Sequence, residues 1–419
     1  MAPIKPPRGT KDIFSPEIDS WQLIEKISSE VLELAHYKEI RTPIFEHSEL
    51  FTKSLGQVTD VVQKEMYSFQ DRSKRNLTLR PEGTAGVIRA FIEHKLYTNP
   101  LPHKVWYCGP MFRYERPQAG RQRQFHQLGV ECIGILDPLI DAEIISLALN
   151  ILEKLKIPNL SLEINSLGNS ETRTRYKEAL FSYFNQYLSD LDTESQVRLQ
   201  NNPLRLLDSK DSKIKALLDK APSLLDFLDN DSKVHFDLLC QYLNSLSIQY
   251  TINPLLVRGL DYYNQTAFEI KSFSLGAQDT ICGGGRYDSL IQSLGGPDLP
   301  SIGWAMGMER LLLSIPNDKY SLASLDCYII TLGEKAKILA FTLLHKLRNL
   351  NIKVDISFYN SNIQKQIRRA NQLNATTCII IGDEEIQKEV VILKWLKVQK
   401  QEEVSLDELD TIASKILSS

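Results

Sequence analysis

An arginine, an aspartate and two adjacent tyrosines lie within the otherwise apolar stretch LLVRGLDYYNQTAFEI, residues 255–270. The stretch predicts a partly buried strand that carries these polar groups. Arg258 could bind an oxyanion in bidentate geometry, or it could be a structural ion-pair partner of Asp261. Tyr262 and Tyr263 could contact a polar ligand through their hydroxyls, or they could be core aromatics. The stretch alone leaves both interpretations open.

A second concentration of reactive side chains is FRYERPQAGRQRQFHQLGVE, residues 112–131, where a loop joins two strand-like runs. A solvated basic edge would explain an isolated run of arginines. However, the pattern predicts that Arg113 and Glu115 lie on a strand, where a buried charge needs a partner. This prediction favours a binding role. The four arginines of the stretch are Arg113, Arg116, Arg121 and Arg123.

Two glycine-containing turns supply further polar groups. RPEGTA, residues 80–85, predicts a strand-to-helix turn with Thr84 as the helix cap. GGGRYD, residues 283–288, resembles a nucleotide-binding loop, but three glycines equally indicate a tight turn or a close approach of backbone. The chain has no G-x-x-x-x-G-K-[ST] sequence, so binding of phosphate through a P-loop is excluded.

The elements that position these groups are mostly short strands. An amphipathic helix is predicted over residues 20–36, with Ser20 as its cap. Strand-like runs follow with few helices between them, which favours an antiparallel sheet. These runs are EIRTPIFE, EMYSFQD, NLTLRPE, KVWYCGPMFRYE and FHQLGVECIG.

The second half of the chain changes character twice. Residues 171–250 are rich in Leu, Lys and Asp at helical spacing, which indicates a helical insertion before the strand signals return. From residue 325 onward, strands and helices alternate, which predicts a small α/β domain after the linker SIPNDKYSLASLD. The predicted fold is α+β, with a core in two parts (1–170 and 251–322), the helical insertion (171–250) and a C-terminal domain (325–419).

Composition narrows the class of protein. The 419 residues are 42% apolar and 24% charged, and the net charge of -3 gives no global attraction to nucleic acid. The six cysteines form no C-x-x-C pair and no Cys/His cluster, so we expect neither a zinc site nor a disulfide framework. The N-terminal sequence lacks the apolar segment of a signal peptide, and no run of 18 apolar residues occurs. We therefore expect a reduced, cytoplasmic protein with no membrane partner.

Taken in order, the motifs resemble those of histidyl-tRNA synthetases. The matching segments are RGTKDI, RPEGTA, FRYERPQAGRQRQFHQLGVE, LVRGLDYYN, GGGRYD and GWAMGMERLL. The resemblance implies a class II synthetase fold, a homodimer formed through the region of YKEIRTPIFE, with Pro43 in the first class motif, and a C-terminal anticodon-binding domain. It also implies the reaction, in which L-histidine and Mg-ATP form histidyl-adenylate and pyrophosphate before histidine passes to the 3′ end of tRNA(His).

The family pattern also implies roles for individual residues. Arg113 and Arg258 would lie on opposite sides of the reacting carboxylate and α-phosphate, two anions that repel each other without nearby cations. Mg²⁺ is expected to arrive with ATP, and no tightly bound cofactor is expected. The histidine-binding residues would be Glu82, Gly83, Thr84, Arg113, Gln127, Glu131, Arg258, Tyr262 and Tyr263. The ATP-binding residues would be Arg113, Glu115, Arg121, Phe125 and Arg310, with Phe125 as the stacking surface.

For tRNA, the resemblance places the arginine-rich loop of residues 116–124 at the acceptor end. Arg368 and Arg369 would serve the anticodon stem-loop, although an exposed helix face explains them equally well. The main alternative is a catalytically silent, synthetase-like regulator. Such paralogues typically lose the cations at Arg258 or Arg310, which are both present here. A nucleic-acid-binding protein without catalysis would leave the polar residues of the histidine site unexplained.

Overall fold

The computed structural model describes residues 3–56, 59–118, 120–209, 211–272, 279–316, 325–358, 361–398 and 400–417. The chain divides into two compact units, Met1–Asn317 and Asp318–Ser419. Most of the predicted linker, residues 317–324, lies outside the described residues. The two units are described separately below.

The first unit combines helices with two antiparallel sheets. Its helices are α1 (Glu17–Leu34), α2 (Ser48–Leu55), α3 (Thr84–Glu93), α4 (Pro138–Lys154), α5 (Ser170–Asn185), α6 (Thr193–Asn201), α7 (Ser212–Leu218), α8 (Asn230–Ser245), α9 (Leu290–Ser293) and α10 (Met308–Ser314). Its strands are β1 (Lys38–Glu39), β2 (Phe45–His47), β3 (Tyr67–Gln70), β4 (Asn76–Leu79), β5 (His103–Phe112), β6 (Gln124–Ile133), β7 (Leu160–Ser166), β8 (Thr251–Ile252), β9 (Asn264–Ser272), β10 (Thr280–Arg286) and β11 (Ser301–Gly307).

The larger sheet has eight strands in the order β1-β5-β6-β11-β10-β9-β7-β8. Its six central strands pair antiparallel, and the short edge strands β1 and β8 add in parallel. The smaller sheet has the order β2-β4-β3. The antiparallel sheet predicted from the strand-like runs is therefore confirmed.

The two faces of the larger sheet differ because side chains alternate along each strand. On β6, Leu128, Val130 and Cys132 are buried on one face. That face is covered by α4, whose Ile144 carbonyl accepts a hydrogen bond from Trp304 Nε1 at 3.0 Å. The residues between them on β6 point to the opposite face, which forms the floor of the candidate site.

Helix α1 begins earlier than its sequence pattern predicts. The residue before the helix is Pro16, and Ser20 lies inside the helix with 2% of its surface exposed, so the prediction of Ser20 as the cap is wrong. The first turn is instead stabilised by Glu17, whose carboxylate accepts a hydrogen bond from Trp21 Nε1 at 3.1 Å. The predicted apolar face is present, and Ile24 and Val31 are buried.

The segment predicted as a helical insertion contains α5, α6, α7 and α8. Its apolar side chains Tyr176, Leu180 and Phe184 belong to the same hydrophobic cluster as Phe51 and Phe91, which come from α2 and α3. The helices therefore pack within the first unit. The boundaries at residues 171 and 250 stay a prediction.

The second unit is an α/β sandwich around a five-stranded sheet of order β13-β12-β14-β15-β16. β12, β13 and β14 pair in parallel, and the last two strands add antiparallel. The sequence did not predict the short helix α13 or the edge strand β16. The elements are β12 (Cys327–Thr331), α11 (Glu334–Asn349), β13 (Val354–Ile356), α12 (Ile363–Gln372), β14 (Thr377–Ile381), α13 (Asp383–Lys388), β15 (Val390–Trp395), β16 (Gln401–Ser405) and α14 (Leu409–Leu417).

Candidate active site

A cleft of about 530 Å³ opens on the polar face of the larger sheet. All the residues predicted for the histidine and ATP sites line it, except Gly83 and Glu131. These lining residues are Glu82, Thr84, Arg113, Glu115, Arg121, Phe125, Gln127, Arg258, Tyr262, Tyr263 and Arg310. The fold thus brings together segments that are more than two hundred residues apart in the sequence.

Two of the predicted strand positions are wrong. Strand β5 ends at Phe112, so Arg113 and Glu115 lie in the irregular connection that follows it. The Glu115 N–H donates to the Arg113 carbonyl at 2.8 Å, which turns the chain out of the regular ladder. A residue in such a turn can direct its charge into a cleft without being buried inside a sheet.

The stretch at residues 255–270 is also only partly a strand. Strand β9 begins at Asn264, so Arg258, Tyr262 and Tyr263 lie in the loop before it. Among the described residues, no backbone-to-backbone hydrogen bond involves residues 257–263 apart from the turn at Asp261–Tyr262. The loop is therefore held in place by side chains.

Glu131 lies just behind the lining of the cleft, next to the lining residues Thr84 and Gly303, with 1% of its surface exposed. Its carboxylate accepts hydrogen bonds from the Thr84 hydroxyl, at 2.7 Å, and from the Tyr287 hydroxyl. Burial raises the pKa of Glu131 from its usual 4.5 to about 8. Gly303 faces this carboxylate across the strand pair, and a Cβ there would overlap it.

Glu82 rather than Thr84 caps helix α3. The Glu82 carboxylate accepts hydrogen bonds from the backbone N–H groups of Thr84, at 2.6 Å, and Ala85, at 2.9 Å. Gly83 precedes the helix and Thr84 is its first residue, so the prediction of Thr84 as the cap is wrong. The Thr84 hydroxyl is committed to Glu131 instead. Burial raises the pKa of Glu82 as well.

Three tyrosine rings form the wall next to Glu131. The Tyr262 and Tyr263 ring centroids are 4.6 Å apart, and the Tyr287 centroid is 5.6 Å from that of Tyr262. Sequence reasoning missed Tyr287, although it lies inside the GGGRYD motif. It also missed Tyr107, a buried ring that fills the space left by Gly129 and Gly83.

Arg258 lies beside this wall, with its guanidinium 5.7 Å from the centre of the Tyr263 ring, and forms an ion pair with Glu269. The proposed structural pair with Asp261 is therefore wrong. Burial is the largest effect on the pKa of Arg258 and disfavours the charged guanidinium. The Glu269 carboxylate, together with Tyr263, Cys282 and Tyr262, outweighs it, so the pKa of Arg258 is raised. A Cβ at Gly283 would overlap the guanidinium. Of the two interpretations of GGGRYD, the structure therefore supports a close approach to the backbone.

The motif's own arginine, Arg286, points away from the cleft. It is fully buried and donates to the Asp141 carboxylate of α4, with Nε at 2.9 Å from Oδ2. Because neighbouring residues on a strand point to opposite faces, this anchor leaves Tyr287 directed towards Glu131. The Arg286–Asp141 pair thus fixes the strand end from behind the sheet.

The other end of the cleft is rich in cations. Arg113 donates from Nε to the Pro81 carbonyl at 2.8 Å, and its guanidinium lies 5.4 Å from the centre of the Phe125 ring. Arg121 forms an ion pair with Glu115 at 3.1 Å. Arg310 donates from Nη1 to the Thr280 carbonyl at 2.6 Å, and burial lowers its pKa. These arginines leave an electropositive wall that suits a polyphosphate.

Sequence reasoning also missed the residue that joins this wall to the sheet. The Glu309 carboxylate, at the start of α10, accepts hydrogen bonds from the backbone N–H of His126 at 3.0 Å. This contact ties α10, which carries Arg310, to the strand that carries Phe125. The available signal was an acid next to Arg310 in the motif GWAMGMERLL.

Within the described ranges, no group of three or more His, Cys, Asp or Glu side chains could hold a metal ion. No helix in that part of the chain is long and apolar enough to cross a membrane.

Comparison with known proteins gives concordant results. A model of the family described as Histidyl-tRNA synthetase matches residues 9–311, and one described as Anticodon binding domain matches residues 326–416. The Histidine--tRNA ligase of Picosynechococcus sp. is 52% identical over 410 residues, which cover 98% of this chain and 96% of that protein. The chloroplastic Histidine--tRNA ligase of Pyropia yezoensis is 52% identical over 411 residues, with coverages of 98% and 95%.

Solved structures also resemble the whole chain. The apo histidyl-tRNA synthetase of S. aureus has a TM-score of 0.83 and 38% sequence identity, covering 98% of this chain and 99% of that chain. The match extends over the cleft and over the C-terminal unit.

Proposed function

This chain belongs to the histidyl-tRNA synthetase family, and we propose from that premise that the cleft between Glu131 and Arg310 is where histidine and ATP react. The protein is an aminoacyl-tRNA ligase. It activates L-histidine with ATP to histidyl-adenylate and pyrophosphate, and then transfers histidine to the 3′ end of tRNA(His). The roles of individual residues below are our proposals.

The observation that carries the assignment is a guanidinium, Arg258, held between a polar pocket and an electropositive wall. A histidine carboxylate oxygen attacks the α-phosphorus while the bond to pyrophosphate breaks, so negative charge is concentrated between the two substrates. Arg258 and Arg113 stabilise that charge from opposite sides. The raised pKa of Arg258 keeps it a permanent cation for this purpose.

Histidine binds at the closed end of the cleft. Its imidazole lies between Glu131 and Tyr263, where a carboxyl and a phenol contact the two ring nitrogens, and Tyr262 and the GGGRYD glycines form the wall. Gln127 accepts a hydrogen bond from the α-amino group. Its Oε1 is available for this contact because it is buried without a hydrogen-bond partner among the described residues. Glu82 and Thr84 complete that part of the pocket. An amino acid that leaves these buried groups unpaired is rejected steeply.

ATP occupies the electropositive end. Phe125 stacks on adenine, Arg310 contacts the γ-phosphate side, and Arg121 reaches the triphosphate, with Glu115 holding Arg121 in position. Mg²⁺ enters as part of the nucleotide complex because it bridges phosphate oxygens and keeps much of its water. The protein needs only to contact that complex.

Two parts of the chain contact the tRNA. The loop of residues 116–124 meets the acceptor end, and the C-terminal unit binds the anticodon region, which agrees with the family match over residues 326–416. Arg368 and Arg369 are exposed on α12 and are candidates for phosphate contacts there.

We propose a homodimer and a cytoplasmic location. The dimer is supported by exposed apolar side chains in the segment predicted as the interface, where Ile44 is 45% and Phe45 is 53% exposed. The location is supported by the cysteines, all six of which are free thiols, as expected in a reducing compartment.

The alternative of a silent regulator is disfavoured, because Arg258 and Arg310 both line the cleft and the relatives match along the whole chain. Histidine-dependent exchange of labelled pyrophosphate into ATP tests the assignment, because only the activating enzyme catalyses it. We expect exchange with histidine and none with other amino acids. Absence of exchange in the purified chain would refute the assignment.

A further inference from the structure

The loop that carries Arg258 and Tyr263 is unusual in its hydrogen bonding. Apart from the turn at Asp261–Tyr262, no backbone-to-backbone bond is made by residues 257–263 in the described part of the chain, although Tyr262 and Tyr263 are only 7% and 8% exposed. Backbone carbonyls at such depth need partners, because an unpaired buried carbonyl costs about as much as a lost hydrogen bond. The loop therefore depends on donors from elsewhere.

The donor is Arg173, in the first turn of α5. Its Nη1 donates to the Tyr263 carbonyl at 2.6 Å and, over a longer distance of 3.4 Å, to the Asp261 carbonyl. A guanidinium is suited to this task, because its donors are fixed in a plane and its charge strengthens each bond. One side chain thus connects the two ends of the Asp261–Tyr263 turn.

Arg173 has no carboxylate partner within ion-pair distance among the described residues, and its Nε is buried without a hydrogen-bond partner. Burial lowers its pKa, with the charge of Asp261 acting in the opposite direction. An arginine that served only solubility would be exposed, and one that served a surface ion pair would have a carboxylate partner. Its strong contact is to the backbone of the candidate histidine site.

We propose that Arg173 is a positioning residue for histidine activation: it fixes the backbone of Asp261–Tyr263, and through it the Tyr263 ring and the Arg258 guanidinium, which lies 5.7 Å from that ring. Arg173 is not among the residues that line the cleft. It makes the histidine pocket depend on the helical segment at residues 171–250. This inference rests on the function proposed for the cleft.

The test is steady-state histidine-dependent pyrophosphate exchange by the full chain and by Arg173→Met, which keeps the stem and removes the donors. We expect the KM for histidine to rise at least about tenfold, while the KM for ATP stays within about twofold, because the ATP wall is built from other segments. Arg173→Lys should recover part of the loss, since an ammonium can still bond one carbonyl. The matched control is Arg175→Met, an exposed arginine on the same helix, which should match the wild type.

A double-mutant cycle separates positioning from general stability. If Arg173 acts through Tyr263, the effect of Arg173→Met on the KM for histidine should fall below about threefold in a Tyr263→Phe background. Any of three results would overturn the proposal. The KM for histidine could be unchanged in Arg173→Met, or the KM values for histidine and ATP could rise in parallel. Arg173→Met could also raise the KM for histidine by the same factor in the wild-type and Tyr263→Phe backgrounds. Loss of exchange in the wild type would instead refute the function of the cleft.

Discussion

At the scale of single residues, Glu131 illustrates how a buried acid can serve as a selective contact. It has two hydroxyl donors but no cation beside it, so burial dominates and its pKa rises to about 8. In the substrate-free protein at neutral pH, the protonated form is therefore well populated. An imidazole N–H that donates to this group favours the ionised form, so the pocket is set for a ligand that brings its own donor.

The raised pKa of Glu131 predicts a pH-dependent difference in stability. As pH rises from about 5 to about 8, the unfolded state releases the Glu131 proton while the folded state keeps it, so the wild type loses stability over this window. Glu131→Gln is free of this effect and should gain relative to the wild type as pH rises, by on the order of a few kcal/mol. Urea unfolding of both proteins at each pH measures the difference. A difference that stays flat with pH would contradict the assignment.

Arg258 gives the second prediction at this scale. Arg258→Ala should lower the rate of pyrophosphate exchange at least about a hundredfold, because a cation that stabilises the transition state is lost, while histidine still binds in calorimetry.

The single variant also leaves the Glu269 carboxylate without its ion-pair partner. The double variant Arg258→Ala/Glu269→Gln removes that charge and should remain equally slow. Recovery of activity in the double variant would assign the loss to the stranded acid instead of to the missing cation.

At the scale of elements, the floor of the cleft depends on bare backbone in neighbouring strands. Gly283 on β10 lies against Arg258, and Gly303 on β11 lies against Glu131. The two strands pair antiparallel, so both glycines serve one continuous surface. The lack of a side chain at these two glycines therefore shapes the site as much as the charged side chains do.

Gly283→Ala tests this arrangement. The added methyl overlaps the Arg258 guanidinium, so exchange should slow at least about tenfold. If the methyl acts by displacing Arg258, it should cost little further rate in an Arg258→Ala background. If Gly283→Ala slows exchange by the same factor in the wild-type and Arg258→Ala backgrounds, the glycine has a separate role.

How much the sequence predicts depends on the range of the interaction. Strand alternation, which is a local signal, located the antiparallel sheet. The resemblance of the motifs to the family identified residues such as Arg310 and Gln127, which line the cleft. Helix α3 is capped by Glu82 instead of Thr84, because the Thr84 hydroxyl bonds to Glu131, which is 47 residues away in the sequence. No local pattern contains such a contact.

The same limit applies to the loop before β9. Its apolar and aromatic residues resemble those of a strand, and only the tertiary structure shows that Arg173, ninety residues earlier, supplies the hydrogen bonds that a ladder would have made. The pairing of Arg258 with Glu269 rather than with Asp261 is a further case, because both acids were available at short spacing.

At the scale of the whole molecule, the two units have separate hydrophobic cores. In the second unit, Ile329, Leu343 and Val391 belong to a cluster formed from its own strands and helices. The cleft is lined entirely by residues of the first unit. Activation of histidine and recognition of the anticodon are therefore assigned to different parts of the chain.

Removal of residues 325–419 tests that division. Pyrophosphate exchange should stay within about threefold of the full chain, while charging of tRNA should fall at least about tenfold, because the anticodon contacts are lost. Both assays use the same protein preparation, so retained pyrophosphate exchange shows that the truncated protein is folded. A parallel collapse of both activities would show that the second unit is needed for the first to fold.

The ion pair between Arg258 and Glu269 has a consequence for how the whole molecule behaves in a cell. The Arg258 guanidinium already has a carboxylate partner, and inorganic phosphate or sulfate must displace this partly buried acid to bind there. Histidine and ATP together bring two anions and many other contacts to the same place. The resting enzyme is therefore expected to be insensitive to the abundant small anions around it.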